Sequence, residues 1–166
     1  MKAILNEDTA AVELRLKDSG VKPGGRYEPD DCQSRHKVAI IMPIRNRTEH
    51  LTAFVRYMHP FLQRQQLSYI IIAVEQSGKC DVIKIIEKNV YNLFPIDCGA
   101  ERSPFNRGML MNIGFNEGQL LKENYQCFIF HDVDTLPEDD SNPYTCPEDG
   151  KPRQMSFSID YWNNYK

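Results

Sequence analysis

Asp132-Val133-Asp134 carries the sharpest chemical signal in the sequence. Two carboxylates one residue apart, directly after the apolar run Cys127-Phe128-Ile129-Phe130-His131, can both reach one hard divalent cation. Mg²⁺ and Mn²⁺ favour oxygen ligands and are commonly shared with substrate phosphates. A cation held there would neutralise a diphosphate leaving group. The same residues also suit a solvated acidic loop, because so short a motif matches by chance. A calcium loop fits poorly, for want of a glycine at the turn and a closing glutamate. Pro43-Ile44-Arg45-Asn46-Arg47 is the second candidate. Two arginines ahead of a helix can pair bidentately with phosphate, and the helix N-terminus adds a favourable dipole. A solvated basic turn is the alternative. Phe105-Asn106-Arg107 offers a third arginine and a ring to stack on a base, or else a core phenylalanine and a surface charge. Asn46-Arg47-Thr48 also matches the N-glycosylation acceptor pattern. A glycan there would block a phosphate-binding loop, so Asn46 is expected to be unmodified. His36, His50, His59 and His131 show no ligand spacing and read as structural.

These residues need elements to position them. Residues 1–31 read as an arm in which Ala10 to Leu16 suit a short helical turn, before Gly20, Pro23, Gly24, Gly25 and Pro29 forbid regular structure. Lys37 to Met42 is a β-branched run ended by Pro43 and apolar on both faces, as in a buried parallel strand. Leu51, Phe54, Val55, Met58 and Leu62 then recur at helical spacing. Asn46 with Glu49 resembles a capping box, and Pro60 is expected to end or kink the helix. Tyr69 to Val74 is a second buried strand, completing a βαβ unit with an expected right-handed crossover. Val82, Ile83, Ile85, Ile86 and Val90 suit one amphipathic helix between Cys80 and Cys98. Phe105 to Leu121 suits another, with Met109, Leu110, Ile113 and Leu120 as its apolar stripe. Cys127 to His131 reads as a third buried strand. Beyond Pro137 the chain reads as loop, until Gln154 to Ile159 alternate as a last strand would. The order predicts an open α/β sheet of nucleotide-binding type, whose ligands sit at the carboxyl ends of the strands. Those ends follow Met42, Val74 and His131, where the candidates lie.

Composition narrows the classes. A chain of 166 residues fits one domain. With 41% hydrophobic and 26% charged residues it is ordinary for a soluble protein. A net charge of −3 gives no basic field for nucleic acid. The longest apolar runs, Val38 to Met42 and Ile70 to Val74, are far shorter than the roughly 18 residues of a membrane helix. Asn6, Glu7 and Asp8 interrupt any signal-peptide core, so no signal or anchor is read here. The five cysteines match no zinc pattern and contain no C-x-x-C. They are either five buried thiols or two disulfides with one cysteine left over.

Gly24-Gly25-Arg26-Tyr27, Asp31-Cys32 and His36-Lys37-Val38-Ala39-Ile40-Ile41 are followed by Pro43 and Arg45-Asn46-Arg47. His50-Leu51, His59-Pro60 and Gln63-Arg64-Gln65-Gln66-Leu67 come next. Phe105-Asn106-Arg107, Leu110, Asn112, Gly114-Phe115, Asp132-Val133-Asp134 and Pro137 complete the series. In this order, from about residue 20 to residue 160, the set resembles the β-1,4-galactosyltransferase family. The resemblance implies a GT-A-type, Rossmann-like nucleotide-sugar-binding fold, here incomplete: a donor-binding half over 32–166 behind an arm of 1–31. It implies inverting β-1,4 transfer of galactose or N-acetylgalactosamine from a UDP-sugar to a glycan or glycoconjugate ending in GlcNAc or glucose, with Mn²⁺ bridging the diphosphate. By resemblance Pro43, Ile44, Arg45, Arg47, Phe105, Arg107, Asp132 and Val133 would contact the donor. Asp132 would lie at the uridine-ribose end and Asp134 would be the metal ligand. Cys127 and Cys146 align with a family disulfide, and full-length members are type II membrane proteins of the Golgi lumen. Cys32 aligns with a cysteine whose usual partner lies further upstream.

Three departures stand out. Ile44 replaces an aromatic residue common in the family. Residues 79–103 look like an insertion that brings Cys80 and Cys98, which can pair with each other. The sequence ends at Lys166, before the family's tryptophan- and glycine-rich acidic segment and its later metal-binding histidine; Trp162 does not sit in that motif. The catalytic carboxylate and the position that selects the donor sugar are therefore expected outside this sequence, and no catalytic residue is assigned. Two other readings compete: a truncated product that at most binds UDP weakly, and a cytosolic metal-dependent nucleotide binder with five reduced thiols.

Overall fold

Runs that are apolar on both faces need cover on both faces, and β2 (Lys37–Ile44) and β3 (Ser68–Ser77) obtain it. Val38, Ile40, Met42 and Ile44 turn to one side of the sheet with Tyr69, Ile71 and Ala73; Ala39 and Ile41 turn to the other with Ile70, Ile72 and Val74. The computed structural model describes residues 8–77, 86–88, 91–97 and 104–156. The first side is covered by α1 (Thr9–Asp18) and α2 (Thr48–Arg64), and the second by α3 (Arg107–Leu120). Each large aliphatic or aromatic side chain buried in these layers contributes roughly 1.5–3 kcal/mol relative to leaving it exposed.

The sheet runs β4 (Ile86–Lys88), β5 (Tyr91–Asp97), β3, β2, β6 (Cys127–Phe130). Strands β2, β3, β5 and β6 are parallel, and β4 lies antiparallel to β5. The expected βαβ unit is present as β2–α2–β3. Residues 86–88 and 91–97 are strands, not part of the helix predicted from Val82 to Val90; the rest of that stretch, with Cys80 and Cys98, lies outside the described residues. A short apolar run fits either period, and here pairing with β3 decides it.

Two prolines fail to break their elements. Pro43 lies inside β2 rather than ending it. Ile41 O accepts from His131 N–H on the β6 side, so Pro43, two residues on, turns its missing N–H to the same side, where β6 has already ended. Pro60 lies inside α2, which continues to Arg64 because Phe61 and Leu62 are fully buried and hold its last turn down. The capping box is absent. Arg47 is the N-cap without a side-chain bond, and Asn46 takes a left-handed φ of 50°. The sequence signal misplaced the start of α2, so Glu49 falls in its first turn, where its charge suits the helix dipole.

At the N-terminus α1 is longer than the predicted turn, and its Val12 and Leu16 join the core beside α2. Arg26–Tyr27 forms β1, antiparallel to β3, where no regular structure was expected. The buried face of α3 is Leu110, Gly114 and Gly118, whereas Met109 and Ile113 are only half-buried and Leu120 is exposed. A Cβ on Gly114 would meet Ile41 Cγ2 at 2.4 Å and one on Gly118 would meet Phe128 Cε1 at 2.9 Å, so the glycines set how closely α3 approaches the sheet. Strand β6 is half-buried, with Phe130 exposed, rather than fully buried as predicted. Residues 154–156 form no strand, and 157–166 lie outside the described residues. Among the described residues no helix is long and apolar enough to cross a membrane.

Candidate functional site

Because Ile41 pairs with Phe130 at the end of β6, β2 and β6 leave the sheet side by side. Pro43 and Ile44 are buried, and the chain then turns outward through Arg45, Asn46 and Arg47. Arg47 Nη1 lies 3.3 Å from His50 Nε2. After β6, His131 is buried, Asp132 half-buried and Asp134 exposed. Val133 packs its side chain into the core, which leaves its backbone to face a ligand.

The acidic loop is held from beneath. His131 Nδ1 donates to Asp132 O at 2.8 Å, and Nε2 accepts from the Tyr144 hydroxyl at 2.7 Å. Burial lowers the His131 pKa, against the opposing pull of Asp132 and Asp134, and so favours the neutral imidazole this geometry requires. Thr135 adds its N–H at 3.3 Å and its hydroxyl at 3.1 Å to the same Asp132 carbonyl. Further along, Gln65 accepts from Tyr144 N–H, and Arg64 makes a bidentate pair with Asp140. Cys127 and Cys146 form a disulfide, so the reading of five buried thiols is wrong; Cys32 is free and exposed. Tyr144, Thr135 and Gln65 carry no sequence signal that singled them out.

The third segment arrives with α3. Asn106 caps the helix by accepting from Met109 N–H at 3.0 Å. Arg107 Nε and Nη2 donate to Asp132 Oδ1 and Oδ2 at 2.8 and 3.0 Å, a fork-on-carboxylate pair. The structure thus joins two of the three motifs directly and places the third, Pro43 to Arg47, on the neighbouring strand end. The Arg107–Asp132 pair is about half exposed, so it is worth no more than about 1 kcal/mol to stability. Phe105 is 43% exposed, with a ring face open to solvent instead of the core position its type would favour.

Among the described residues no group of three His, Cys, Asp or Glu gathers to hold a metal ion. Asp132 and Asp134 offer hard oxygen donors, which suits a cation that takes its other ligands from phosphate and water. A depression of about 360 Å³ lies elsewhere, lined by Ser34, His36, Lys37, Ser68, Glu123 and Gln126 at the amino ends of the strands. It is away from the arginines and the paired carboxylates, and ligands of such sheets sit at the opposite edge.

The N-terminal region of glycosyl transferase group 7 matches residues 1–91 and 82–147. The chain belongs to this family. It is 44% identical to beta-1,4-galactosyltransferase 1 of Mus musculus over 153 residues, which are 90% of this chain and 32% of that protein. To the Homo sapiens counterpart it is 42% identical over 160 residues, 95% of this chain and 34% of that one. The chain therefore spans about a third of the length of these relatives. A mutant of Drosophila β-1,4-galactosyltransferase 7, solved with manganese, UDP-Gal and xylobiose, superposes with a TM-score of 0.50. That likeness has 32% identity and covers 69% of this chain and 37% of the other. The fold expected from the sequence, GT-A-type and α/β, is the one found, as part of a larger domain.

Proposed function

We propose that this chain is the donor-binding part of an Mn²⁺-dependent, inverting β-1,4-glycosyltransferase. It would transfer galactose or N-acetylgalactosamine from a UDP-sugar to an acceptor ending in GlcNAc or glucose. The observation that carries the reading is the Arg107–Asp132 pair at the carboxyl ends of β2 and β6, the edge where such sheets bind nucleotides. The solved relative bound to manganese and UDP-Gal supports the same assignment.

In this reading Phe105 stacks on the uracil with its exposed face, and Asp132, oriented by Arg107, accepts from ribose hydroxyls. Pro43, Ile44 and the Val133 backbone floor the pocket. Arg45 and Arg47 face the diphosphate, and with Arg107 they stabilise the charge that develops on the departing UDP. A divalent cation at Asp134 would supply Lewis-acid neutralisation of the same diphosphate. The division into an arm of 1–31 and a donor-binding unit of 32–166, with an insertion at 79–103 on the pocket rim, belongs to this proposal. So does residence in the Golgi lumen, for which the Cys127–Cys146 disulfide argues an oxidising compartment.

The test is calorimetric titration of the chain with UDP, with and without Mn²⁺, repeated on Asp134→Ala and Arg107→Ala. Binding should require the metal, and each substitution should weaken it by about tenfold or more, the loss of a charge-assisted contact. A folded chain that ignores UDP, or binds it equally well without Asp134, would overturn the assignment.

A further inference from the structure

Gln76 is polar, sits at the end of an otherwise apolar strand and is 2% exposed. A buried amide must satisfy both of its ends or destabilise the fold. Gln76 meets this need with the backbone of one short segment. Its Nε2 donates to Pro104 O at 3.1 Å, and its Oε1 accepts from Asn106 N–H at 2.9 Å. These two bonds straddle Phe105, much as a residue of a neighbouring parallel strand would. The next residue along, Arg107, is the one that grips Asp132.

We propose that Gln76 is a positioning residue for nucleotide binding, fixing the Phe105-Asn106-Arg107 segment against the end of β3. The inference rests on the donor-site reading above. The two bonds leave the Phe105 ring on the solvent side, and they place the cap residue Asn106 so that Arg107 starts α3 within reach of Asp132. Without them the segment has no other printed tie to the sheet short of Arg107 itself. The misplacement would reach the base and the ribose, not the metal ligand Asp134.

The experiment is a cycle of UDP titrations in Mn²⁺ on the full chain. Gln76→Met, of similar shape but without polar atoms, should weaken UDP binding about tenfold, as displacement of a binding group by an ångström does. In a Phe105→Ala, Arg107→Ala background the same substitution should change affinity by less than about twofold, because the groups it acts through are gone. An equal loss in both backgrounds would assign Gln76 a merely structural role and overturn the proposal, as would no loss in either. Gln76→Glu keeps the acceptor for Asn106 and the volume, and replaces the methionine variant should that not fold. If the parent chain binds no UDP, it is the donor-site reading that fails. Hydrogen exchange at the Asn106 amide then still decides the clamp. It should quicken at least tenfold on Gln76→Met, about what losing a buried hydrogen bond implies, and unchanged exchange overturns it.

Discussion

Replacing Gly114 by alanine tests the seam between α3 and the sheet with one methyl group. The added Cβ would lie 2.4 Å from Ile41 Cγ2 and 3.0 Å from Val74 Cγ2. Both neighbours are fully buried and stand on adjacent paired strands, so neither can swing aside. Carbon atoms rest about 3.5–4.0 Å apart, so the helix would have to lift by about 1 Å. Overpacking of this kind costs about 3 kcal/mol at the upper end of its range. Alanine returns about 1 kcal/mol of helix propensity. The net loss of about 2 kcal/mol is about a 30-fold shift toward the unfolded state. In urea it should lower the midpoint by about 1 M at unchanged slope, followed by circular dichroism. Gly118→Ala should cost less, since its nearest contact, at 2.9 Å, is the half-buried Phe128 ring. Gly108→Ala, with nothing within 4 Å, should stabilise by up to about 1 kcal/mol. A midpoint for Gly114→Ala at or above that of the parent would refute the packing argument.

Two further outcomes follow from the loop beneath the site. Burial lowers the His131 pKa, so the folded state resists a proton that the unfolded chain takes up. Stability should therefore be level above about pH 6.5 and decline as pH falls below it. His131→Asn, which can keep a donor to the Asp132 carbonyl, should flatten that decline, and equal slopes would remove His131 from the account. Reducing the Cys127–Cys146 disulfide, which closes a separation of 19 residues, should cost about 3 kcal/mol. The melting temperature should drop by about 6–12 °C. A Cys127→Ala, Cys146→Ala chain should show no response to reductant, and an unchanged melting temperature for the reduced parent would contradict the estimate.

The parts of the fold legible in the sequence are those whose pattern matches their burial. Val38 to Met42 and Ile70 to Val74 read as buried parallel strands because both faces are covered. The apolar spacing of α2 likewise matches its buried face. Reading failed where a neighbour decides the outcome. Pro43 is tolerated only because β6 ends early, and residues 86–88 are a strand only because β5 lies beside them. On α3 the apolar residues suggested one stripe, while the closest contacts to the sheet come from Gly114 and Gly118, which have no side chain to be counted. At the site, the Arg107–Asp132 partnership spans 25 positions and no local pattern announces it. The residue types of all three motifs were nonetheless visible. Gln76 was overlooked because it closes an apolar run without altering its period.

The pairing of β6 with β2 also bears on the order of assembly. Strands β2 and β3 meet at Lys37 and Ser68, 68 − 37 = 31 positions apart, with α2 forming locally between them. Strands β2 and β6 meet at Val38 and Cys127, 127 − 38 = 89 positions apart. The entropy of closing the longer span must be met before its contacts reward it. The β2–α2–β3 unit is thus the natural nucleus, with β6 and the acidic loop as late arrivals. Pulse-labelled exchange during refolding should protect the amides of Ile40 and Ile71 before that of His131, and the reverse order would contradict this sequence of events. The residues with the most chemistry would then be the last to receive their final geometry, and the first to lose it.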